Sequence, residues 1–363
     1  MPGADVRKAP SSLRISAGAR LGVKRLLGVA CALASTLVGA HSGNALESRA
    51  KVGASVVKQG LSALRAADRA ALALHWAPIH YQDVDQRGAH SLGGRADYIT
   101  RYDFDGDLDA RNNWDRAASG AYPLTAHVYY SVVETGTHWF IVYMFFHPRD
   151  WSNTFFDTEH ENDTEGLLVT VARDASTYGN IRGAVTVAHN DFYSYLPTGS
   201  DWRRGAESVD GTLSLVSYDG SLHPVTAQQA QGHGLKARPY YDIHGDGVVY
   251  YPSLTTAEEP RHPNDRNVSY RLVDIFEPGG LFDNRDNPAL FASAGSFAGN
   301  SSGACGRGVF SCRSNAAHAP WAWDDNDDRQ PRGALANDPA RLVKSYFSIP
   351  EPLSLSYSFN PFR

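Results

Sequence analysis

The sequence predicts an all-β domain, a β-sandwich with a few peripheral α-helices and long loops, and three observations carry that prediction. Among 363 residues there are 18 Tyr, 15 Phe and 7 Trp, whose bulk suits the pleated surface of a sheet. The apolar runs are short and end in turn residues. They do not alternate with long helical patterns, as the strands of βαβ units would.

The strand candidates follow in order. Thr125–Val133 alternates through Ala126, Val128, Tyr130 and Val132, and Thr137–Phe146 is almost continuously aromatic and aliphatic. Glu165–Ala172, Gly183–Ala188, Leu213–Tyr218 and Val248–Tyr251 are further apolar runs. Pro148, Asn180, Gly183, Asp219-Gly220 and Gly245 supply the turns between them. Helical spacing recurs over residues 53–75, where Val56, Val57, Leu61, Leu64, Ala67, Ala71, Leu72 and Leu74 share a face. That predicts an amphipathic helix, within residues 46–76, packed on the domain. A shorter helix is expected over Pro339–Phe347 with Asp338 as its cap. Residues 283–335, rich in Gly, Ser, Asn and Asp, read as a long irregular region.

The start of the chain predicts export. Residues 1–25 carry Arg7, Lys8, Arg14, Arg20, Lys24 and Arg25 against one acid, Asp5. An apolar run, Leu26 to Val38, and a small-residue stretch through Ala40 and Ala45 complete a secretory signal over residues 1–45. The apolar run is too short to span a bilayer. The expectation is a secreted or periplasmic protein whose mature part, 46–363, is one domain. Removing the signal takes six of 34 basic and one of 39 acidic residues, leaving 28 and 38 and a net charge of −10. So acidic a chain argues against nucleic-acid binding and suits cation binding. The two cysteines that remain, Cys305 and Cys312, are expected to form one disulfide closing the irregular region.

The chemistry concentrates in two segments. His147-Pro-Arg-Asp150 closes one strand candidate, and His160-Glu-Asn-Asp163-Thr-Glu165 opens the next. On an extended chain Asp163 and Glu165 point to the same face, while His160 is expected on a loop that turns back. Three carboxylates and an imidazole brought together would repel one another without a cation, and that donor set suits Mg²⁺, Mn²⁺ or Ca²⁺. The alternative is an acidic surface turn. A second cluster, Asp103, Asp105, Asp107 and Asp109 around Gly106, has the alternation of a structural Ca²⁺ loop but lacks the spacing of an EF-hand. A solvated acidic loop is the other reading. The acids of Trp321-Ala-Trp323-Asp-Asp-Asn-Asp-Asp328 are expected in solvent, with the tryptophans packed.

The two segments resemble those of the necrosis- and ethylene-inducing-peptide-like proteins, whose heptapeptide is Gly-His-Arg-His-Asp-Trp-Glu and whose upstream Phe-Pro-Lys-Asp supplies a further ligand. The second, His160 to Glu165, is also similar to the His-Glu-Gly-Asp-Trp-Glu segment of the vacuolar protein sorting sixty-two-like family. Carried over position by position, the resemblance implies metal ligands at Asp150, His160, Asp163 and Glu165 and a β-sandwich with a secreted or membrane-surface role. It covers roughly residues 74–250. Thr164 stands in place of the motif's tryptophan, Asn162 in place of its second histidine and Glu159 in place of its glycine. His223-Pro-Val and Gln231-Gly-His233-Gly look like a downstream strand and Gly-x-His turn of the sorting-protein relatives, which makes His233 a candidate to approach the ligand or metal.

Walker and His-Glu-x-x-His patterns are missing from the sequence. Two functions remain. One is a monomeric, metal-dependent binding protein for a glycan, glycolipid or membrane-surface head group, with Tyr193, Tyr195 and Trp202 available to stack on sugars. The other is a secreted metal-dependent hydrolase of an ester or phosphodiester, with Glu165, Asp163 or His233 as base.

Overall fold

In the computed structural model, residues 65–153, 159–299 and 313–363 are described. The signal segment, most of the 46–76 helix and both Cys305 and Cys312 lie outside them. Helix α1 (residues 65–76) leads into β1 (Ile79–Asp83). After helix α2 (Asn113–Ser119) come the long strands β2 (His127–Thr135), β3 (His138–Asp150), β4 (His160–Ala172) and β5 (Asn180–Ala188). Shorter strands follow: β6 (Asp191–Pro197), β7 (Arg203–Arg204), β8 (Gly211–Leu213), β9 (Leu215–Tyr218), β10 (Ser221–Gln228) and β11 (Leu235–Ala237). Then come β12 (Gly247–Ser253), β13 (Val268–Asp274), β14 (Phe291–Ser293) and β15 (Ser296–Phe297). Helices α3 (Ala334–Asn337) and α4 (Pro339–Tyr346) precede β16 (Phe347–Ser348) and β17 (Tyr357–Phe359).

Thirteen strands form one mixed sheet, ordered β11-β10-β1-β12-β13-β2-β3-β4-β5-β6-β8, with β9 on β10 and β17 on β2. Pairings β1–β10, β12–β13, β13–β2 and β6–β8 are parallel, and the others along this order are antiparallel. The terminal strand β11 returns against β5 and β8, so the sheet nearly closes into a barrel. The β-rich class with few helices is therefore as expected. In place of two sheets packed as a sandwich, the strands form one nearly closed, barrel-like mixed sheet.

Strands β2–β5 are buried on both faces. Along β3, Ile141, Tyr143 and Phe145 point into the barrel while Phe140, Val142, Met144 and Phe146 point out. The inner core is completed by Leu72, Trp76, Tyr250 and Tyr270 from other elements. The outer core is covered by the C-terminal part of the chain, including Leu290, Phe297, Leu342 and Tyr346. Two buried faces explain why Thr137–Phe146 is continuously apolar rather than alternating.

Several boundaries differ from expectation. Pro148 is not a turn: β3 runs through it to Asp150. It is tolerated because the β2–β3 pairing ends at Val128 and Phe145, so no β2 carbonyl waits for an N–H there. The run Leu213–Tyr218 is broken at Ser214 into β8 and β9. Helix α4 is where expected, but Asp338 makes no side-chain cap bond. Its carboxylate instead accepts the Tyr357 hydroxyl (2.6 Å) and pairs with Arg341 and Arg363. Among the described residues no helix is long and apolar enough to cross a membrane.

Candidate metal centre

Beyond the last β2 and β5 pairings, β3 and β4 continue as a two-stranded ribbon in which His147 faces Asp163 and Asp150 faces His160. An unbroken strand would turn His160 and Asp163 to opposite faces, since their separation is odd. Asn162 resolves this. It is held at φ 59, the left-handed region that asparagine tolerates better than most residues, and so interrupts the alternation between them. The conformation is fixed by three buried bonds. The Asn162 amide donates to the carbonyls of Ala110 (2.9 Å) and Ala298 (3.0 Å), and its oxygen accepts from Asn113 Nδ2 (2.7 Å). His160 is thus a strand residue, not part of a returning loop.

The result is a convergence of donor atoms. Ligand atoms of Asp150, His160 and Asp163 lie within 4.8 Å of one another, and among the described residues no other His, Cys, Asp or Glu group of three does this. His160 Nδ1 lies 2.8 Å from the Asn162 carbonyl and Nε2 lies 3.1 Å from Asp150 Oδ2. A backbone carbonyl on one ring nitrogen, leaving the other to face the donors, is the arrangement that orients a metal-ligating histidine. Burial disfavours the charged ring, yet Asp150 outweighs it and raises the His160 pKa to about 9. Burial raises Asp150 too, opposed by His160.

Glu165 lies one same-face step further along β4. Its Oε1 accepts the His189 N–H (2.9 Å), while Oε2 is buried and has no hydrogen-bond partner among the described residues. Burial, and after it the charge of Asp163, hold its pKa well above the ordinary carboxylate range. The expected fourth ligand is therefore beside the triad with a free oxygen, but outside the 4.8 Å convergence.

His233 is brought to the site, in the role of a brace for Asp163. Fully buried at φ 52, it places Nδ1 2.9 Å from Asp163 Oδ2 and Nε2 3.2 Å from Asp97 Oδ1. Burial opposes its charge, but bonds to the two carboxylates raise its pKa to about 9. His147 stacks on it, centroids 3.7 Å apart and planes 2° apart. Burial, then the neighbouring His233, push His147 well below the ordinary histidine value, so one ring of the stack is charged and the other neutral. Asp97, which also accepts Trp151 Nε1 (2.8 Å) and the Gln231 N–H (2.9 Å), had no signal in the sequence. Neither did His147 as a stacking partner.

Other expected residues are elsewhere. Asp103 is bound by both arms of Arg101 (2.8 and 2.7 Å), Asp109 by Arg111 (2.7 and 2.9 Å), and Asp105 lies 3.4 Å from Arg116. Asp107 accepts the Asp109 N–H (2.7 Å) and Asn112 Nδ2 (3.1 Å). These four carboxylates thus face arginines and turn amides. Tyr195 and Trp202, proposed as sugar-stacking surface aromatics, are buried, whereas Tyr193 is half-buried with Lys236 Nζ 3.9 Å above its ring. Asp325 is not solvated as expected: it accepts the Tyr346 hydroxyl (2.7 Å) and the Phe192 N–H (3.3 Å). Thr164, where the resembled motif has tryptophan, meets the Trp323 indole N–H at 3.4 Å.

No family model and no curated protein matches the chain. Among solved structures, the chain is similar to one described as a toxin fold for microbial attack and plant defense, with 18% identity over 62% of this chain and 81% of that one, at a TM-score of 0.31. NLPPya in complex with glucosamine is similar at 17% identity, covering 77% and 90%, with a TM-score of 0.35. Necrosis and Ethylene inducing Protein 2 from the causal agent of cocoa's Witches Broom disease is similar at 17% identity, covering 60% and 78%, with a TM-score of 0.28.

Proposed function

We propose that the chain is an exported, divalent-metal-dependent binding protein that recognises a carbohydrate head group, of a glycan or glycolipid, at the β3–β4 ribbon. The observation that carries this reading is the convergence of Asp150, His160 and Asp163 within 4.8 Å, on a ribbon whose two segments carry the resembled motif. Two carboxylates and an imidazole whose second nitrogen is tied to the backbone fit a hard or borderline divalent cation. Such a cation supplies a Lewis-acidic centre for sugar hydroxyls or a phosphate oxygen. Asp150, His160 and Asp163 hold it, His233 orients Asp163, and Glu165 offers its free Oε2.

The test is a glycan and lipid-head-group array probed with wild type in Mg²⁺, Mn²⁺ or Ca²⁺, in chelator, and with Asp163→Asn in metal. Binding should require the metal and should vanish in the variant. Ligand binding that persists in chelator would overturn the reading. The buried Glu165, whose pKa is pushed well above the ordinary carboxylate range by burial and Asp163, is the feature that favours hydrolysis instead. That reading requires turnover of an ester or phosphodiester that Glu165→Gln abolishes while metal stays bound.

A further inference from the structure

A second feature lies at the opposite end of β6 from the turn at His189 and Asp191. Beyond Pro197 the chain forms a recess of about 640 Å³. Its apolar part includes Leu196, Pro197 and Val209. Arg203, Arg204, Thr198 and Thr212 also line it, and no Asp or Glu does. In a chain with 39 acidic and 34 basic residues, that local reversal calls for a reason.

The nearby acids are turned to other partners. Asp201 pairs with Arg182 (2.8 Å), and Asp210 accepts the Ser194 N–H (2.7 Å) and faces the Ser208 hydroxyl (3.2 Å). Burial raises the pKa of Glu207, aided by Asp327 and Asp328. The arginines sit on a fixed backbone, since β7 pairs with β16 through Arg204 and Phe347, and the Gly205 N–H donates to the Tyr346 carbonyl (2.8 Å). Arg203 is further pinned by Nη1 bonds to the Ser200 (2.6 Å) and Trp202 (2.7 Å) carbonyls. Arg204 is exposed, and its guanidinium has no acceptor among the described residues.

We propose that this recess is a second ligand site, separate from the metal centre, for a small hydroxylated molecule bearing a carboxylate or phosphate. The planar guanidinium offers paired donors that match either oxyanion. Thr198 and Thr212 supply hydroxyls for the polar body, and Leu196 and Val209 supply an apolar wall. A neutral sugar would leave the cationic donors without a counter-charge.

The test is calorimetric titration of the full chain, in metal-free buffer, with glucose 6-phosphate, gluconate and glucose. The expected result is saturable binding of the two anions and none of glucose. Arg204→Gln, at an exposed position, should weaken anion binding about tenfold or more, the effect of losing one charged hydrogen bond. Asp163→Asn should leave it unchanged, and added salt should weaken it. Equal binding of glucose, no binding of either anion, or wild-type affinity in a folded Arg204→Gln would overturn the proposal. Because the metal centre is tested in chelator and by Asp163→Asn, failure at one site is separable from failure at the other.

Discussion

At the scale of single residues, protons stand in for a cation. His160 and His233 both have pKa values raised to about 9, Glu165 is held well above the ordinary carboxylate range, and burial raises Asp150 as well. Each group therefore binds its proton more tightly in the folded state than in the unfolded chain. The stability this gives His160 and His233 is complete below the ordinary histidine pKa of about 6.5 and is lost as pH rises through about 9. The carboxylates add a loss of the same sign from lower pH. Metal-free protein should accordingly melt at progressively lower temperature between pH 6.5 and 9. Added divalent metal, which replaces the protons, should restore stability most at the alkaline end. A melting temperature of the metal-free protein that rises over this range would contradict the assignment. Removing the brace is the complementary test. His233→Ala leaves Asp163 and Asp97 buried without their shared partner and should cost about 3–5 kcal/mol in urea unfolding.

At the scale of elements, the centre depends on the β3–β4 ribbon and on one backbone inversion within it. Asn162→Ala loses three buried bonds and must hold the left-handed conformation, so it should destabilise by about 2–4 kcal/mol and weaken metal binding by displacing His160. Asn162→Gly loses the bonds but keeps the conformation. It should therefore bind metal better than the alanine variant, and the reverse order in metal titration would mean that the inversion does not set the geometry. Gly166 is a second control. A methyl group there would come within 2.1 Å of the Trp323 ring and 2.6 Å of the Tyr143 carbonyl. Gly166→Ala should lower the urea midpoint by forcing the C-terminal layer off β4, at a cost of about 1–3 kcal/mol or more.

These elements also show what the sequence could convey. Asp150, His160 and Asp163 were legible because a local motif brings them together across one strand pair. The inversion at Asn162 was not, since alternation rules assume an unbroken strand and put His160 on a loop. Asp97 was invisible for a different reason. It lies 136 residues from His233, and its role comes from how the sheet curls, not from any spacing. The long strand β3 was readable as an apolar run but its end was not, because Pro148 breaks a strand only where a neighbour needs its N–H. Tyr195 and Trp202 look like surface aromatics in sequence and are buried by the sheet's near closure and by the C-terminal layer.

At the scale of the molecule, two cores share the walls β2–β5, one inside the barrel and one beneath the C-terminal layer. That double burial anchors the β3–β4 ribbon on both faces up to Phe146 and leaves only its tip to carry the ligands. The whole account rests on that tip holding a cation. The direct measurement is calorimetric titration of Mg²⁺, Mn²⁺ and Ca²⁺ into metal-free wild type and Asp163→Asn, with circular dichroism to confirm that the variant is folded. The account predicts a saturable site in wild type for at least one of these ions, lost in the variant. Metal binding of the same affinity and stoichiometry in folded Asp163→Asn, or no binding of any of the three ions to wild type, would contradict it.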